Sequence, residues 1–279
     1  MADDLFPEPS AQESQMVHPN NGRSLKQEDY IAGLAKGLAI LDCFDSGQVR
    51  LSVTKAAERT GLTRAAARRH LRTLFYLGYL DGDGQQFWLS PKILKPAGIY
   101  LNSAALPRAA RAVLRSLPKQ TGCYHSVVVL SGGEAVTVAS CYPPHLEQAQ
   151  VLPYGIYSGN RIPAHTGANG KVLLAALNAA QLEQWLVAYP LMRFTTQTLT
   201  DRSLLQQQLA EVRQQGWAEA LGEYEPGFGG LAVPVIDAQG EVVAALNAVE
   251  TNDHIADIAW RNRCLPLLQK AAAEIRVML

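Results

Sequence analysis

The chain has 279 residues and no net charge at neutral pH, and 48% of its residues are hydrophobic. This length and composition predict about two domains with real hydrophobic cores. No apolar run approaches the ~20 residues that cross a bilayer, and the acidic start Met1–Leu5 lacks the hydrophobic stretch of a secretion signal. We therefore expect a cytoplasmic protein without a membrane partner.

The cysteine pattern favours no metal site. The four cysteines are scattered along the chain without a Cys-x-x-Cys pair: Cys43, Cys123, Cys141 and Cys264. In a chain of this size, such a pattern fits reduced and mostly buried thiols. We predict neither a metal nor a cofactor.

Residues 1–28 form the first segment. Most of it is rich in Asp, Glu, Pro, Ser, Gln, Asn and His, with few apolar residues. Such a segment cannot bury enough apolar surface to offset the entropy of ordering, so we predict a disordered tail.

Two helices and a turn are predicted next. Apolar residues at helical spacing give an amphipathic first helix: Ile31, Leu34, Leu38, Leu41 and Phe44. A second helix runs over Leu51–Thr60, with Ser52 as a plausible N-cap. Gly61 tolerates the left-handed backbone that follows a helix end, and Thr63 caps the helix that comes next.

The helix Arg64–Leu77 has two different faces. Winding it at 100° per residue places apolar residues and His70 on one side: Ala67, His70, Leu71, Leu74 and Leu77. The other side carries Arg64, Arg68, Arg69, Arg72 and Tyr76. One face can pack on a small domain while the other presents guanidinium groups to phosphates and base edges.

A hairpin completes this unit. Asp81–Gly84 joins the short strands Tyr79–Leu80 and Phe87–Leu89, and Asp-Gly pairs supply the positive φ of a tight turn. Residues 46–80 carry seven basic residues against Glu58 alone, a net charge of +6. A solvated basic face on an ordinary helix is the alternative. The whole pattern favours a winged helix-turn-helix DNA-binding domain over residues 29–90. Its predicted contact residues for double-stranded DNA are Ser52, Thr63, Arg64, Arg68, Arg69 and Arg72.

The rest of the chain mixes helices and strands. Pro91–Asn102 suits a linker helix entered through proline, so we assign residues 91–103 to the linker. Residues 104–279 then predict an α+β domain. We expect helices over Arg108–Leu117, Lys171–Leu177, Leu204–Gln214 and Ile258–Val277, and strands over Tyr124–Leu130, Ala135–Ala139, Leu231–Ile236 and Val242–Val249.

Three segments resemble the IclR family of bacterial transcription regulators: Tyr30–Leu41, Arg161–Ala175 and Leu231–Asp237. The resemblance covers nearly the whole chain after the tail. Glu28–Gly37 and Phe87–Ser90 are most similar to the branch that controls aromatic-acid catabolism and responds to p-hydroxybenzoate.

The resemblance implies a mixed α/β (α+β) protein with an N-terminal winged helix-turn-helix, a linker helix and a C-terminal GAF-like effector domain. It also implies homodimers that pair through the DNA-binding end, often as dimers of dimers. An aromatic acid would activate transcription, which makes RNA polymerase a partner. A monocarboxylic hydroxybenzoate, with 4-hydroxybenzoate as first choice, is the predicted effector.

The turn Thr166–Gly170 offers a place for a carboxylate. It opens an apolar helix, and the first N–H groups of a helix have no internal partner and sit at the positive end of its dipole. The resemblance agrees, since relatives hold effector carboxylates at the positions matching Ala168 and Asn169. Near relatives often have Ser or Thr in this turn, where the present chain has Gly167, Ala168 and Asn169. Gly229 and Gly230 also leave more room than a bulkier pair would.

The same resemblance places the cavity wall at Phe228–Gly230 and on the strand with Asn247 and Val249. Asn247 or His125 would take the ring hydroxyl. The predicted effector residues are His125, Thr166, Ala168, Asn169, Gly170, Phe228, Gly230, Asn247 and Val249. The plainer readings are an ordinary helix start, a satisfied core amide and structural histidines.

Other functions find less support in the sequence. The chain lacks a Gly-x-Ser-x-Gly elbow, a His-Glu-x-x-His pair and a phosphate loop, so we do not expect an enzyme. A DNA-binding scaffold without a ligand is a third possibility. Within the family, protocatechuate or another small carboxylate, and action as a repressor, stay open as alternatives.

Overall fold

The computed structural model describes residues 15–17, 24–45, 47–143 and 157–279. The chain folds into two compact units, Met1–Tyr100 and Leu101–Leu279. Most of the predicted tail, residues 1–14 and 18–23, lies outside the described residues. Two short strands that the composition did not predict, β1 (Gln15–Val17) and β2 (Ser24–Lys26), pair antiparallel, and a 3₁₀ turn follows at Gln27–Asp29.

Between residues 32 and 89, the described part of the first unit forms three helices and a three-stranded sheet. They are α1 (Ala32–Leu41), β3 (Leu51–Ser52), α2 (Val53–Thr60), α3 (Arg64–Tyr76), β4 (Leu80–Gly82) and β5 (Gln86–Leu89). The sheet order is β3-β5-β4, so β4 and β5 form the predicted wing. The core of this unit is Ile40, Cys43, Leu51, Ala56, Ala57, Ala67, Leu71, Leu80 and Phe87.

The predicted caps are in place. The Ser52 hydroxyl accepts from the Lys55 N–H at 3.2 Å, and the Thr63 hydroxyl accepts from the Ala66 N–H at 3.2 Å. Gly61 ends α2 with a left-handed φ of 70°, and Gly84 turns the wing with a φ of 93°. Local hydrogen bonds therefore set the boundaries of α2 and α3.

Three details differ from the sequence predictions. Leu51 belongs to a strand rather than to the second helix, because it pairs with Phe87 of the wing. The predicted stripe of the first helix is largely exposed at Ile31, Leu34 and Leu38, and Ile40 is the side chain that enters the core. Leu77 caps α3 and is 48% exposed instead of packing with the apolar face.

The predicted linker is helical. Ser90 caps a 3₁₀ turn at Pro91–Ile93 by accepting from the Lys92 N–H at 3.2 Å. The helix α4 (Leu94–Ser103) follows, and the boundary between the two units falls within it.

The second unit is built on one antiparallel sheet with the strand order β8-β7-β6-β11-β10-β9. Its strands are β6 (Tyr124–Ser131), β7 (Glu134–Cys141), β8 (Arg161–Pro163), β9 (Ala218–Leu221), β10 (Phe228–Ile236) and β11 (Val242–Thr251). Its helices are α5 (Ala105–Leu114), α6 (Leu117–Thr121), α7 (Ala168–Ala175), α8 (Ala179–Ala188), α9 (Arg202–Gln215), α10 (Asn252–Ala256) and α11 (Ile258–Val277). The sequence analysis did not predict the short elements β8, β9 and α10. It also missed α8, whose start carries a recognisable sequence signal, the capping box of Asn178 and Gln181.

Alternation along the strands gives the sheet two apolar faces. On β10, Leu231 and Val233 pack in the core that includes α5 and α11, whereas Ala232 packs in the core of α7, α8 and α9.

The predicted helix over Arg108–Leu117 is two helices in the structure. The helix α5 ends at Leu114, and α6 begins at Leu117 with a proline in its first turn. The last helix has the predicted bounds.

The helix α7 approaches its neighbouring backbone closely. A Cβ on Gly170 would lie 1.9 Å from the carbonyl oxygen of Ala164. All eight residues of α7 are buried. Only a residue without a side chain fits at this position, so Gly170 sets the depth of α7 in the domain.

We predict that Gly170→Ala lowers the free energy of unfolding by about 2 kcal/mol or more, because the methyl group must displace backbone. Gly230→Ala is the matched control in the same unit. Its Cβ would meet the Cβ of Ala168 at 3.4 Å, an ordinary contact, so we expect a change below about 1 kcal/mol. Urea unfolding measures both, and equal midpoints for Gly170→Ala and the parent chain would contradict the close approach.

Candidate functional sites

The outer face of α3 carries four exposed arginines, Arg64, Arg68, Arg69 and Arg72. The guanidinium of Arg64 donates to the Thr54 hydroxyl at 2.6 Å, which ties the start of α3 to α2. Among the described residues, the guanidinium groups of the other three have no ion-pair partner. Their charge is therefore available to phosphates or base edges.

The other three basic residues between positions 46 and 80 are already paired. Arg59 binds Asp45 at 2.7 Å, and Lys55 binds Glu58 at 3.2 Å. Arg50 lies 3.6 Å from Asp83 on the wing. Of the seven basic residues counted in this stretch, the four on α3 are therefore the ones without an acidic partner among the described residues.

Ser52 and Thr63 have a structural role in this interface. Both hydroxyl oxygens accept a backbone N–H as helix caps. Their direct contact with DNA, predicted from the sequence, stays a prediction.

A cavity of about 70 Å³ opens at the start of α7, several times the ~10–15 Å³ that one water needs by the same measure. Seven of the nine predicted effector residues line it: Thr166, Ala168, Asn169, Phe228, Gly230, Asn247 and Val249. The remaining lining residues are Ile162, Gly167, Ala220, Glu223, Tyr224, Glu225 and Gly229. The structure thus brings most of the predicted residues together.

The first turn of α7 offers two backbone donors. Gly167 precedes it without a side-chain cap, so the N–H groups of Ala168 and Asn169 have no intrahelical partner. The Gly170 N–H, which we expected to bind the carboxylate, instead donates to the Asn169 Oδ1 at 2.7 Å. Gly170 does not line the cavity and acts in packing instead.

Asn247 presents a donor to the cavity. Its Oδ1 accepts from the Ser126 N–H at 3.1 Å and from the Ser126 hydroxyl at 2.6 Å. Because a backbone N–H can only donate, this bond fixes the orientation of the amide. The Nδ2 is left as the free polar group of Asn247 among the described residues.

His125 lies behind the cavity, which corrects its predicted role. It is fully buried, its Nδ1 donates to the Asn247 carbonyl oxygen at 3.2 Å, and its Nε2 lies 2.6 Å from the Thr121 hydroxyl. Burial lowers the pKa of His125 from 6.5 to about 4, against the opposing effect of the bond to Asn247. A neutral imidazole with both nitrogens engaged supports β11 and does not line the cavity.

The sequence analysis missed Glu223. Its Oε1 binds the Lys171 Nζ at 2.5 Å, and the two side chains are only 10% and 2% exposed. Burial raises the pKa of Glu223, while Lys171 and the Leu199 N–H act in the opposite direction. The signal in the sequence was the lone Lys171 inside an apolar helix, which requires a buried partner.

Neither a three-ligand metal site nor a membrane-spanning helix is found in the part of the chain that the structure describes. No group of three or more His, Cys, Asp or Glu side chains is arranged to hold a metal ion. Every helix in these residues is too short or too polar to traverse a bilayer.

Family models match both units. Residues 33–84 match the IclR helix-turn-helix domain, and residues 98–277 match the bacterial transcriptional regulator IclR C-terminal domain. The Pca operon regulatory protein of Acinetobacter baylyi is 45% identical, with 96% of each chain covered. The p-hydroxybenzoate hydroxylase transcriptional activator of the same organism is 43% identical and covers 94% of this chain and 96% of its own.

A solved structure also aligns with the second unit. It is a double mutant of the inducer-binding domain of the PobR transcription factor from Acinetobacter, in complex with 3-hydroxybenzoic acid. It is 38% identical, with a TM-score of 0.59, and the match covers 63% of this chain and all of that domain.

We predict that Arg68→Ala or Arg64→Ala weakens operator binding without unfolding the chain. The loss of a base contact should reduce the binding free energy by ~1–3 kcal/mol. The loss of a phosphate contact should reduce the slope of log affinity against log salt concentration by about one. Fluorescence anisotropy with promoter DNA at two salt concentrations measures this. Arg115→Ala, which removes an exposed charge from the other unit, is the control. Unchanged affinity of both α3 variants at both salt concentrations would show that α3 is not the recognition helix.

The pKa of His125 gives a prediction for stability. Between pH 6.5 and about 4 the unfolded chain binds a proton at His125 that the folded chain does not. The free energy of unfolding should therefore fall by roughly 1.4 kcal/mol per pH unit as the pH drops through this window. Urea unfolding at pH 6.5 and 5 should show a weaker dependence in His125→Gln, while His254→Gln, at an exposed histidine, keeps the full dependence. Part of the dependence remains in His125→Gln because burial also lowers the pKa of His165 and of His70. An unaltered pH dependence in His125→Gln would contradict the assignment.

Proposed function

The chain belongs to the IclR family of bacterial transcriptional regulators, and from this premise we propose that it activates an aromatic-acid catabolic operon when its cavity binds a hydroxybenzoate. The first choice of effector is 4-hydroxybenzoate. Family and relatives are regulators rather than enzymes, and the chain carries the IclR DNA-binding domain.

One observation carries the choice of ligand class. The cavity at the start of α7 holds two unpaired backbone N–H groups, Ala168 and Asn169, together with the amide donor of Asn247. Donors of this kind, at the positive end of a helix dipole, fit a carboxylate without a charged side chain. Phe228 lines the same cavity and can pack against an aromatic ring.

The relatives support the same ligand class. One of them activates p-hydroxybenzoate hydroxylase transcription, and the PobR domain was solved with 3-hydroxybenzoic acid. The latter complex also favours a second candidate, a benzoate hydroxylated at another ring position.

The assembly follows from DNA recognition. One recognition helix reads only a few base pairs, so a specific site needs at least two copies of it. We therefore propose a homodimer, or a dimer of dimers, on an operator with two half-sites. The exposed side chains Ile31, Leu34 and Leu38 of α1 are apolar surface suited to pairing. As an activator on DNA in the cytoplasm, the protein would contact RNA polymerase.

We predict that 4-hydroxybenzoate binds at least about tenfold more tightly than 4-hydroxybenzamide, which has the same size but no negative charge. A hydrogen bond to a charged group contributes ~1.5–3 kcal/mol, and the amide forfeits this. Isothermal titration calorimetry measures both affinities, and a rise of the melting temperature with the acid gives an independent check. Methyl 4-hydroxybenzoate should also bind weakly. Equal affinities for acid and amide would place the carboxylate elsewhere.

A further inference from the structure

One oxygen of the Glu223 carboxylate lacks a hydrogen bond of normal geometry, although the Leu199 N–H lies close enough to the carboxylate to lower its pKa. The Oε1 of Glu223 is held by Lys171, whereas its Oε2 is buried and makes no hydrogen bond of normal geometry. Glu223 lines the cavity. A buried carboxylate oxygen that lacks a well-formed hydrogen bond is unfavourable, so a ligand that donates one to it gains affinity.

The position of Glu223 is fixed from both sides. Lys171 anchors the carboxylate from α7, and the Thr198 hydroxyl donates to the Glu223 carbonyl oxygen at 2.6 Å. The Gly222 N–H donates to the Phe228 carbonyl oxygen at 2.9 Å, which closes the turn that carries Glu223. The free Oε2 is therefore held in place before a ligand arrives.

The cavity offers opposite polarities to a ligand. The N–H groups of Ala168 and Asn169 and the Nδ2 of Asn247 are donors, whereas the Oε2 of Glu223 is an acceptor. A ligand carboxylate has only acceptors, so it suits the helix start and is repelled by Glu223. A hydroxyl or amino group on the ring suits Glu223.

The residues that the sequence suggested for the ring hydroxyl offer no acceptor for its proton. His125 does not line the cavity, and both of its nitrogens are engaged. Asn247 has its amide oxygen occupied by Ser126 and offers only a donor.

We propose that Glu223 selects effectors that carry a hydrogen-bond donor on the ring, by accepting that donor on Oε2, and that Lys171 positions it. The proposal rests on the proposed function of the cavity and goes beyond it, because it names the group that the cavity reads besides the carboxylate.

The test compares ring substituents that differ in hydrogen bonding. The probes are 4-aminobenzoate, which donates, 4-formylbenzoate, which only accepts, and 4-hydroxybenzoate and benzoate as references. Calorimetry gives Kd for each acid with the parent chain and with Glu223→Gln. In the variant the amide oxygen can keep the bond to Lys171, which leaves an NH₂ donor at the position of Oε2.

We expect the parent chain to prefer 4-aminobenzoate over 4-formylbenzoate. In Glu223→Gln this preference should shift by roughly ten- to hundredfold toward 4-formylbenzoate, the effect of one hydrogen bond to a charged group. Because the same two acids are compared in the parent chain and in the variant, the effect of their different sizes cancels in the change of the affinity ratio. Glu219→Gln is the control, since Glu219 pairs with Arg261 at 3.0 Å and does not line the cavity.

The variant leaves the Lys171 ammonium buried without a negative partner, which can destabilise the fold. The double variant Lys171→Met/Glu223→Gln removes that charge and should show the same change of preference. If the preference is unchanged in both variants while the acids still bind, this proposal is wrong and the proposed function stands. If the parent chain binds none of the four acids, both are wrong.

Discussion

The ion pair between Lys171 and Glu223 is the constraint around which the effector domain is organised. All eight residues of α7 are buried, and Lys171 is the one among them with a charged side chain. Removing one partner of such a buried pair costs ~3–5 kcal/mol, so the turn with Glu223 must lie over the helix. This places a wall opposite the first turn of α7, and the cavity is the space between them.

The two functional surfaces use helix starts in different ways. At α2 and α3, the hydroxyls of Ser52 and Thr63 satisfy backbone N–H groups and fix where the two helices begin. At α7, Gly167 provides no cap, and the N–H groups of Ala168 and Asn169 stay available. A side-chain cap at this position would compete with an anionic ligand. The missing cap at α7 thus points to an anion site, whereas the caps at α2 and α3 are structural.

The sequence predicted best what depends on local signals. Caps, glycine turns and helical spacing predicted the helices and the turn of the winged helix-turn-helix. The predicted bounds of α11 also agree with the structure. Partners distant in sequence could not be predicted. Glu223 meets Lys171 across 52 positions. The register of β6 against β11 pairs Asn247 with Ser126, which occupies its amide oxygen, and leaves His125 only the Asn247 carbonyl oxygen. The pairing of Arg59 with Asp45 likewise depends on tertiary structure.

A crystal structure of the chain with 4-hydroxybenzoate tests the account most directly. We predict one ligand in each effector domain, with its carboxylate on the N–H groups of Ala168 and Asn169 and its hydroxyl within hydrogen-bond distance of Glu223 Oε2. The Lys171–Glu223 bond should persist. A ligand bound in the reverse direction, with its carboxylate on Lys171 and Glu223 displaced, or a ligand outside this cavity, would contradict the account.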